Sequence, residues 1–171
     1  MASEHDHWRS WYDATGRDEV SSCLRQCLDR IDREVAEAGW VCQQSGRCCR
    51  FESFGHRLYM TGLEIAWFRR RLAEGGMPER DADPHHVVVS LPQLSESPDG
   101  CPYQIDGRCS VHVIRPFACR VFFCQQGSEV WQSARYEAFQ TEIKRLHEQY
   151  NLPYRYMEWR HGLREAEKAG L

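Results

Sequence analysis

A mainly α chain with a small, irregular, cysteine-rich β/loop centre is the fold class this sequence predicts, and three observations predict it. Helix-period apolar patterns occupy both flanks, whereas the middle has only short apolar runs broken by Pro and Gly. Seven of the nine cysteines fall within residues 42–124, in that middle. The 171 residues suit one sizeable core, so a single domain over 1–171 is expected, with about four helices around a core that a bound metal stabilises.

Residues 18–38 place Val20, Cys23, Leu24, Cys27, Leu28, Ile31 and Val35 at helical spacing, with Gly39 as the stop. Cys23 and Cys27 lie on its apolar face and read as small buried hydrophobes. After FESFGHRLYM, which contains a short β-like run, Thr61 opens a second helix. Thr61 with Glu64 three residues later is a capping box, Leu63, Ile65, Trp67, Phe68 and Leu72 supply the apolar face, and Gly75 and Gly76 end it. Glu64 is therefore read as a cap and not as a general base. RRR at 69–71 reads as a solvated helix face.

MPERDADPHH is a loop, in which His85 and His86 are not counted as ligands, and VVVSL at 87–91 is a brief strand between Pro84 and Pro92. Asp106-Gly107 predicts a tight hairpin that sets Ile105 opposite Arg108 and Gln104 opposite Cys109. Ser128 N-caps a long helix to about Tyr150, with Val130, Ala134, Phe139, Ile143 and Leu146 on its buried side. Asn151-Leu152-Pro153 breaks it, and a last helix is expected from about Tyr154 to Lys168, so that C-terminal helices cover about 128–169.

The net charge of −3 gives no global pull toward nucleic acid or an anionic membrane. No stretch approaches the 18 apolar residues of a membrane span, and the N-terminus carries no secretory h-region, so a cytoplasmic location is expected. In a reducing compartment, nine cysteines are better spent on metal ligation or thiol chemistry than on disulfides, and an odd count leaves one unpaired.

The metal-binding region is expected over residues 40–125, with Cys42, Cys48 and Cys49 in VCQQSGRCCR forming one group and Cys101, Cys109, Cys119 and Cys124 the other. Thiolates suit zinc or iron-sulfur iron and disfavour magnesium and calcium. A regular hairpin ladder would put Cys101 opposite His112 and turn Cys109 away; Pro102 cannot donate to such a ladder and is expected to break it, with His112 as the alternative ligand. Arg47, Arg115 and Arg120 stand beside the cysteines, where they would offset the negative charge of a thiolate-bound centre. Arg is also 20 of the 22 basic residues, so its presence there is a weak signal.

These blocks resemble the YkgJ-like cysteine-cluster family of zinc- or iron-chelating domains, whose CxxCxxCC signature is C-x2-C-G-x-C-C followed by a capped helix and a C-x-n-C-x-I-Y-x-x-R-P-x-x-C-R block. Cys42, Gly46, Cys48 and Cys49 match the first block, and Thr61 and Glu64 fall at the helix start. Cys101, Cys109, Arg115, Pro116, Cys119, Arg120 and Cys124 match the second. Ser45 stands where the signature has its second cysteine and His112 where Tyr is usual. Seven matching thiols then make one four-ligand centre simpler than two.

The functional expectation is a cysteine-cluster protein that ligates an iron-sulfur cluster, 4Fe-4S among the types this donor set suits, in a redox or auxiliary role beside a protein partner. The alternative is a zinc-stabilised binding module without chemistry, in which Trp8, Trp11, Trp131 and Trp159 could form a partner surface. A thiol oxidoreductase could use Cys48 and Cys49, but the sequence has no C-x-x-C at a helix start.

Overall fold

The computed structural model describes residues 4–43, 45–75, 100–122 and 124–171. The strand expected at 87–91, the loop with His85 and His86, and Gly76 lie outside them. Among the described residues the chain is mainly α, with two small two-stranded sheets.

Helix α1 (Glu4–Thr15) was not anticipated from the sequence. It buries Trp8, Trp11, Ala14 and Thr15 along one side, a spacing of three and four that is the helical signal in retrospect. It packs on α4 (Gly62–Ala73). The fit is tight at Gly62, where a Cβ would fall 2.3 Å from the Trp11 ring. Arg70 then clamps α1, donating to the Thr15 hydroxyl at 2.9 Å and the Tyr12 carbonyl at 2.7 Å. Arg69 donates to the Tyr103 hydroxyl and to the Leu171 carbonyl. The run 69–71 is thus half-buried structural contact and not a solvated face.

Helix α2 (Asp18–Glu37) buries Val20, Leu24, Cys27, Leu28 and Ile31 as expected, and Gly39 at φ 75° follows its end. After the single turn α3 (Phe51–Phe54), strand β1 (Tyr59–Thr61) leads into α4. The capping box forms: Glu64 N–H donates to the Thr61 hydroxyl at 3.3 Å and Thr61 N–H to the Glu64 carboxylate at 2.9 Å.

The middle supplies the hairpin β2 (Gln104–Ile105) and β3 (Arg108–Cys109), then α5 (Phe117–Val121). Helix α6 (Glu129–Gln149) buries Phe139, Ile143 and Leu146, but Val130 is 83% exposed and Ala134 is also exposed. Its first turns meet the core through Trp131 and Tyr136 instead, so Val130 and Ala134 lie on the solvent side. Ser128 does not cap it by side chain; its hydroxyl donates to the Gln125 carbonyl at 2.6 Å and accepts from the Gln132 amide.

The last helix, α7 (Trp159–Lys168), starts later than expected because residues 156–158 are strand β4 (Tyr156–Glu158). This pairs antiparallel with β1, Met60 facing Met157, and the Glu158 carboxylate accepts from His161 N–H at 2.9 Å to cap α7. Gly162 lets α7 close on α4, since a Cβ there would lie 2.2 Å from Ile65 Cδ1. Trp8, Trp11 and Trp159 are buried in the core and Trp131 is half-buried against Trp40, so these four do not form an exposed partner surface. No helix of the described residues is long and apolar enough to cross a membrane.

Candidate metal centre

The first cysteine segment turns at Gly46, whose φ of 67° begins the short 3-10 turn Arg47–Cys49. A Cβ at Gly46 would fall 2.1 Å from the Gly107 carbonyl oxygen and 2.3 Å from Gln104 Nε2, so only glycine admits the hairpin tip here. Gln104 stitches the two segments, its side-chain amide donating to the Gly46 carbonyl at 3.0 Å and the Gly107 carbonyl at 3.3 Å.

The hairpin has the expected register, Gln104 opposite Cys109 and Ile105 opposite Arg108, with Asp106 at φ 49° and Gly107 at φ 77°. The ladder does not extend to Cys101. Gln104 N–H turns back to the Cys101 carbonyl at 3.0 Å, Ser110 N–H reaches the Tyr103 carbonyl at 3.0 Å, and His112–Ile114 is a 3-10 turn. Breaking the alternation frees Cys101 and Cys109 to face the same space.

Cys42, Cys48, Cys49, Cys101, Cys109, Cys119 and Cys124 all line one cavity of about 50 Å³. The Cys48 and Cys49 sulfurs are 3.9 Å apart, and Cys101 N–H donates to the Cys49 carbonyl at 2.8 Å. Cys49 and Cys101 are buried, whereas Cys124 is exposed with its sulfur 3.5 Å from the Ser45 hydroxyl. Val111, Phe122 and Trp159 form apolar wall, and the Trp159 indole N–H donates to the Cys101 sulfur at 3.3 Å. Among the described residues, no set of three or more His, Cys, Asp or Glu side chains stands arranged to hold a metal ion. The seven sulfurs share a cavity wall without converging on a coordination polyhedron.

Of the three arginines read as cofactor-binding, only Arg115 lines this cavity. It donates to the His112 ring, itself part of the wall. Arg47 is exposed and lies over the Phe54 ring at 4.8 Å. Arg120 is buried and structural: it donates to the carbonyls of Arg115 at 2.8 Å and Val113 at 2.9 Å, and pairs with Asp32 of α2. Cys23 and Cys27 lie apart from the cavity, Cys27 buried and donating to the Glu142 carboxylate at 3.0 Å. Burial and that carboxylate push the Cys27 thiol up to about 12, which makes it inert at neutral pH.

The cluster divides its protons unequally. Cys49 is held well above the ordinary thiol value by its hydrogen-bonding contacts with Cys101, Cys109 and Cys48 and by burial. The contact with Cys49 lowers Cys48 to about 7, assisted by the Arg115 charge against the opposing cost of burial. It lowers Cys109 as well, while burial raises Cys119. Cys48 and Cys109 are therefore the sulfurs most ready to be thiolates, the form that binds metal or attacks electrophiles.

Among the wall residues that sequence reasoning missed is Trp159, whose only signal was a large aromatic on the buried stripe with Gly162, Leu163 and Ala166 of an amphipathic helix. No family model, curated protein or solved structure matches the chain.

Proposed function

We propose that the chain is a cysteine-cluster metal-binding protein, and that the group it holds is an iron-sulfur cluster ligated by thiolates drawn from the seven cavity cysteines. The observation that carries this reading is the gathering of seven soft donors, from two segments distant in sequence, around one cavity. At about 50 Å³ that cavity has several times the roughly 10–15 Å³ that one water-sized probe needs, which favours a multi-atom group over a lone ion. The resemblance of the cysteine blocks to the YkgJ-like family supports the same class.

Cys48, Cys49, Cys101 and Cys109 are the inner donors, because Cys48, Cys101 and Cys109 are grouped around the buried Cys49 thiol. Arg115 lowers the cost of negative charge there, and Val111, Phe122 and Trp159 keep water from one side. A bound cluster would supply one-electron redox chemistry, in a redox or auxiliary role beside a partner enzyme.

The zinc reading keeps one observation in its favour. Two thiolates each about 2.3 Å from a tetrahedral zinc would sit about 3.8 Å apart, close to the 3.9 Å between Cys48 and Cys49. Anaerobic purification with iron, zinc and acid-labile sulfide analysis separates the two. Brown protein with iron and sulfide supports the cluster; colourless protein with zinc and no sulfide replaces it with the zinc module.

A further inference from the structure

Trp159 joins the C-terminal helix to the thiol centre. Its indole is buried, 1% exposed, and so its N–H has no access to bulk water. A buried N–H needs an acceptor, and the one this indole has is the Cys101 sulfur at 3.3 Å. A neutral thiol is a poor acceptor, whereas a thiolate, free or metal-bound, is a charged one and forms a stronger bond.

Both ends of the contact are held. The Trp159 backbone N–H donates to the Leu58 carbonyl at 2.9 Å, and its ring meets Phe68 edge-on at 5.0 Å between centroids. Cys101 is buried, its N–H bonded to the Cys49 carbonyl at 2.8 Å and its carbonyl to Gln104 N–H at 3.0 Å. The backbones at both ends are hydrogen-bonded and the indole is packed against Phe68, so its N–H is aimed at the Cys101 sulfur.

We propose that Trp159 is a positioning residue of the thiol centre, its indole N–H holding the Cys101 sulfur as a charge-bearing ligand and stabilising added negative charge on the bound group. This rests on the metal reading above. The bond orients the Cys101 sulfur toward the shared cavity, the outer-shell role that second partners play around metal ligands.

The test uses the full chain and zinc as the probe. The metal-free protein is titrated with Zn²⁺ against a chromophoric chelator, for the wild type, Trp159→Phe and Phe68→Leu. Trp159→Phe keeps an aromatic ring but removes the donor; Phe68→Leu disturbs the same packing and leaves the donor. The expected result is zinc binding weakened about 10–100-fold in Trp159→Phe and changed by less than about threefold in Phe68→Leu. In ¹⁵N-labelled wild type, the Trp159 indole N–H resonance is expected to move downfield on zinc loading, a signature that packing alone would not produce.

Equal weakening in both variants with an unmoved indole resonance assigns Trp159 to packing and overturns the inference. So does a Trp159→Phe protein that holds zinc as tightly as the wild type. A wild-type chain that takes up neither zinc nor iron with sulfide overturns the metal reading itself, and this inference with it.

Discussion

The amide of Cys101 donates to the carbonyl of Cys49 at 2.8 Å, so the two cysteine segments are joined by backbone before any ligand is considered. Gln104 adds two further bonds across the same seam. The thiols therefore share a cavity because the main chain brings them there.

That seam depends on Gly46. Gly46→Ala imposes a left-handed backbone on a residue with a Cβ, at about 1–2 kcal/mol, and adds a clash at 2.1 Å with the Gly107 carbonyl. Gly107→Ala shares the positive φ but meets nothing closer than 3.6 Å. Urea unfolding should show Gly46→Ala losing clearly more stability than Gly107→Ala; equal losses would mean that the close approach does not matter.

Arg120 and Arg47 looked equivalent beside the cysteines and are not. Arg120→Ala strips the donor from two carbonyls in a buried setting and should cost about 2–3 kcal/mol, with metal content falling because Arg115 loses its anchor. Arg47→Ala removes only an exposed stack on Phe54 and should stay within about 1 kcal/mol. Parallel melts and metal analysis of the two proteins check this order.

Glu64 carries a pH dependence. Burial raises its carboxyl to about 7, against the hydrogen bonds from Thr61 and the Phe117 amide that favour the charged form. The folded value lies above the unfolded one, so the native state binds more protons between about pH 4.5 and 7, and stability from this group falls as pH rises through that window. The fall is on the order of 3 kcal/mol. Buried His147, whose folded value is lowered by desolvation, works in the opposite direction over part of this range. The measurement is therefore the stability of wild type minus that of Glu64→Gln across pH 4 to 8, a difference that should fall with rising pH because the His147 contribution is common to both.

Metal removal should be felt at the far end of the chain. Hydrogen exchange after chelation is expected to quicken at Cys49, Cys101 and the first turn of α7, which Trp159 ties to the centre, while α1 and α4 keep their protection. Uniform or absent loss of protection would argue that the centre and α7 are energetically separate.

Ser45 faces the Cys124 sulfur at 3.5 Å. Ser45→Cys thus adds an eighth thiol at the exposed edge of the cavity, and metal content per chain is expected to rise. Unchanged content would place position 45 outside the ligand set.

Much of this was legible in the sequence where the cause is local. The α2 face, the capping box of Thr61 and Glu64, and the Asp106-Gly107 register each follow from residues within a turn of one another. What misled was the choice of face: Val130 and Ala134 read as part of the α6 stripe, but the first turns meet the core through Trp131 and Tyr136. Tyr156 to Glu158 read as helix until β1 supplied the strand they pair with.

By itself the sequence determined a helical chain with a thiol-rich middle, because helix faces, caps and tight turns are written in neighbouring residues. Only the tertiary structure decided which side chains share a wall. It placed Arg115 at the cavity and Arg120 in a backbone clamp, buried Trp8, Trp11 and Trp159, and brought the Trp159 indole to Cys101. Those outcomes depend on which remote surfaces meet, and in this chain that meeting is governed by glycine close approaches at Gly46, Gly62 and Gly162 that no spacing rule expresses.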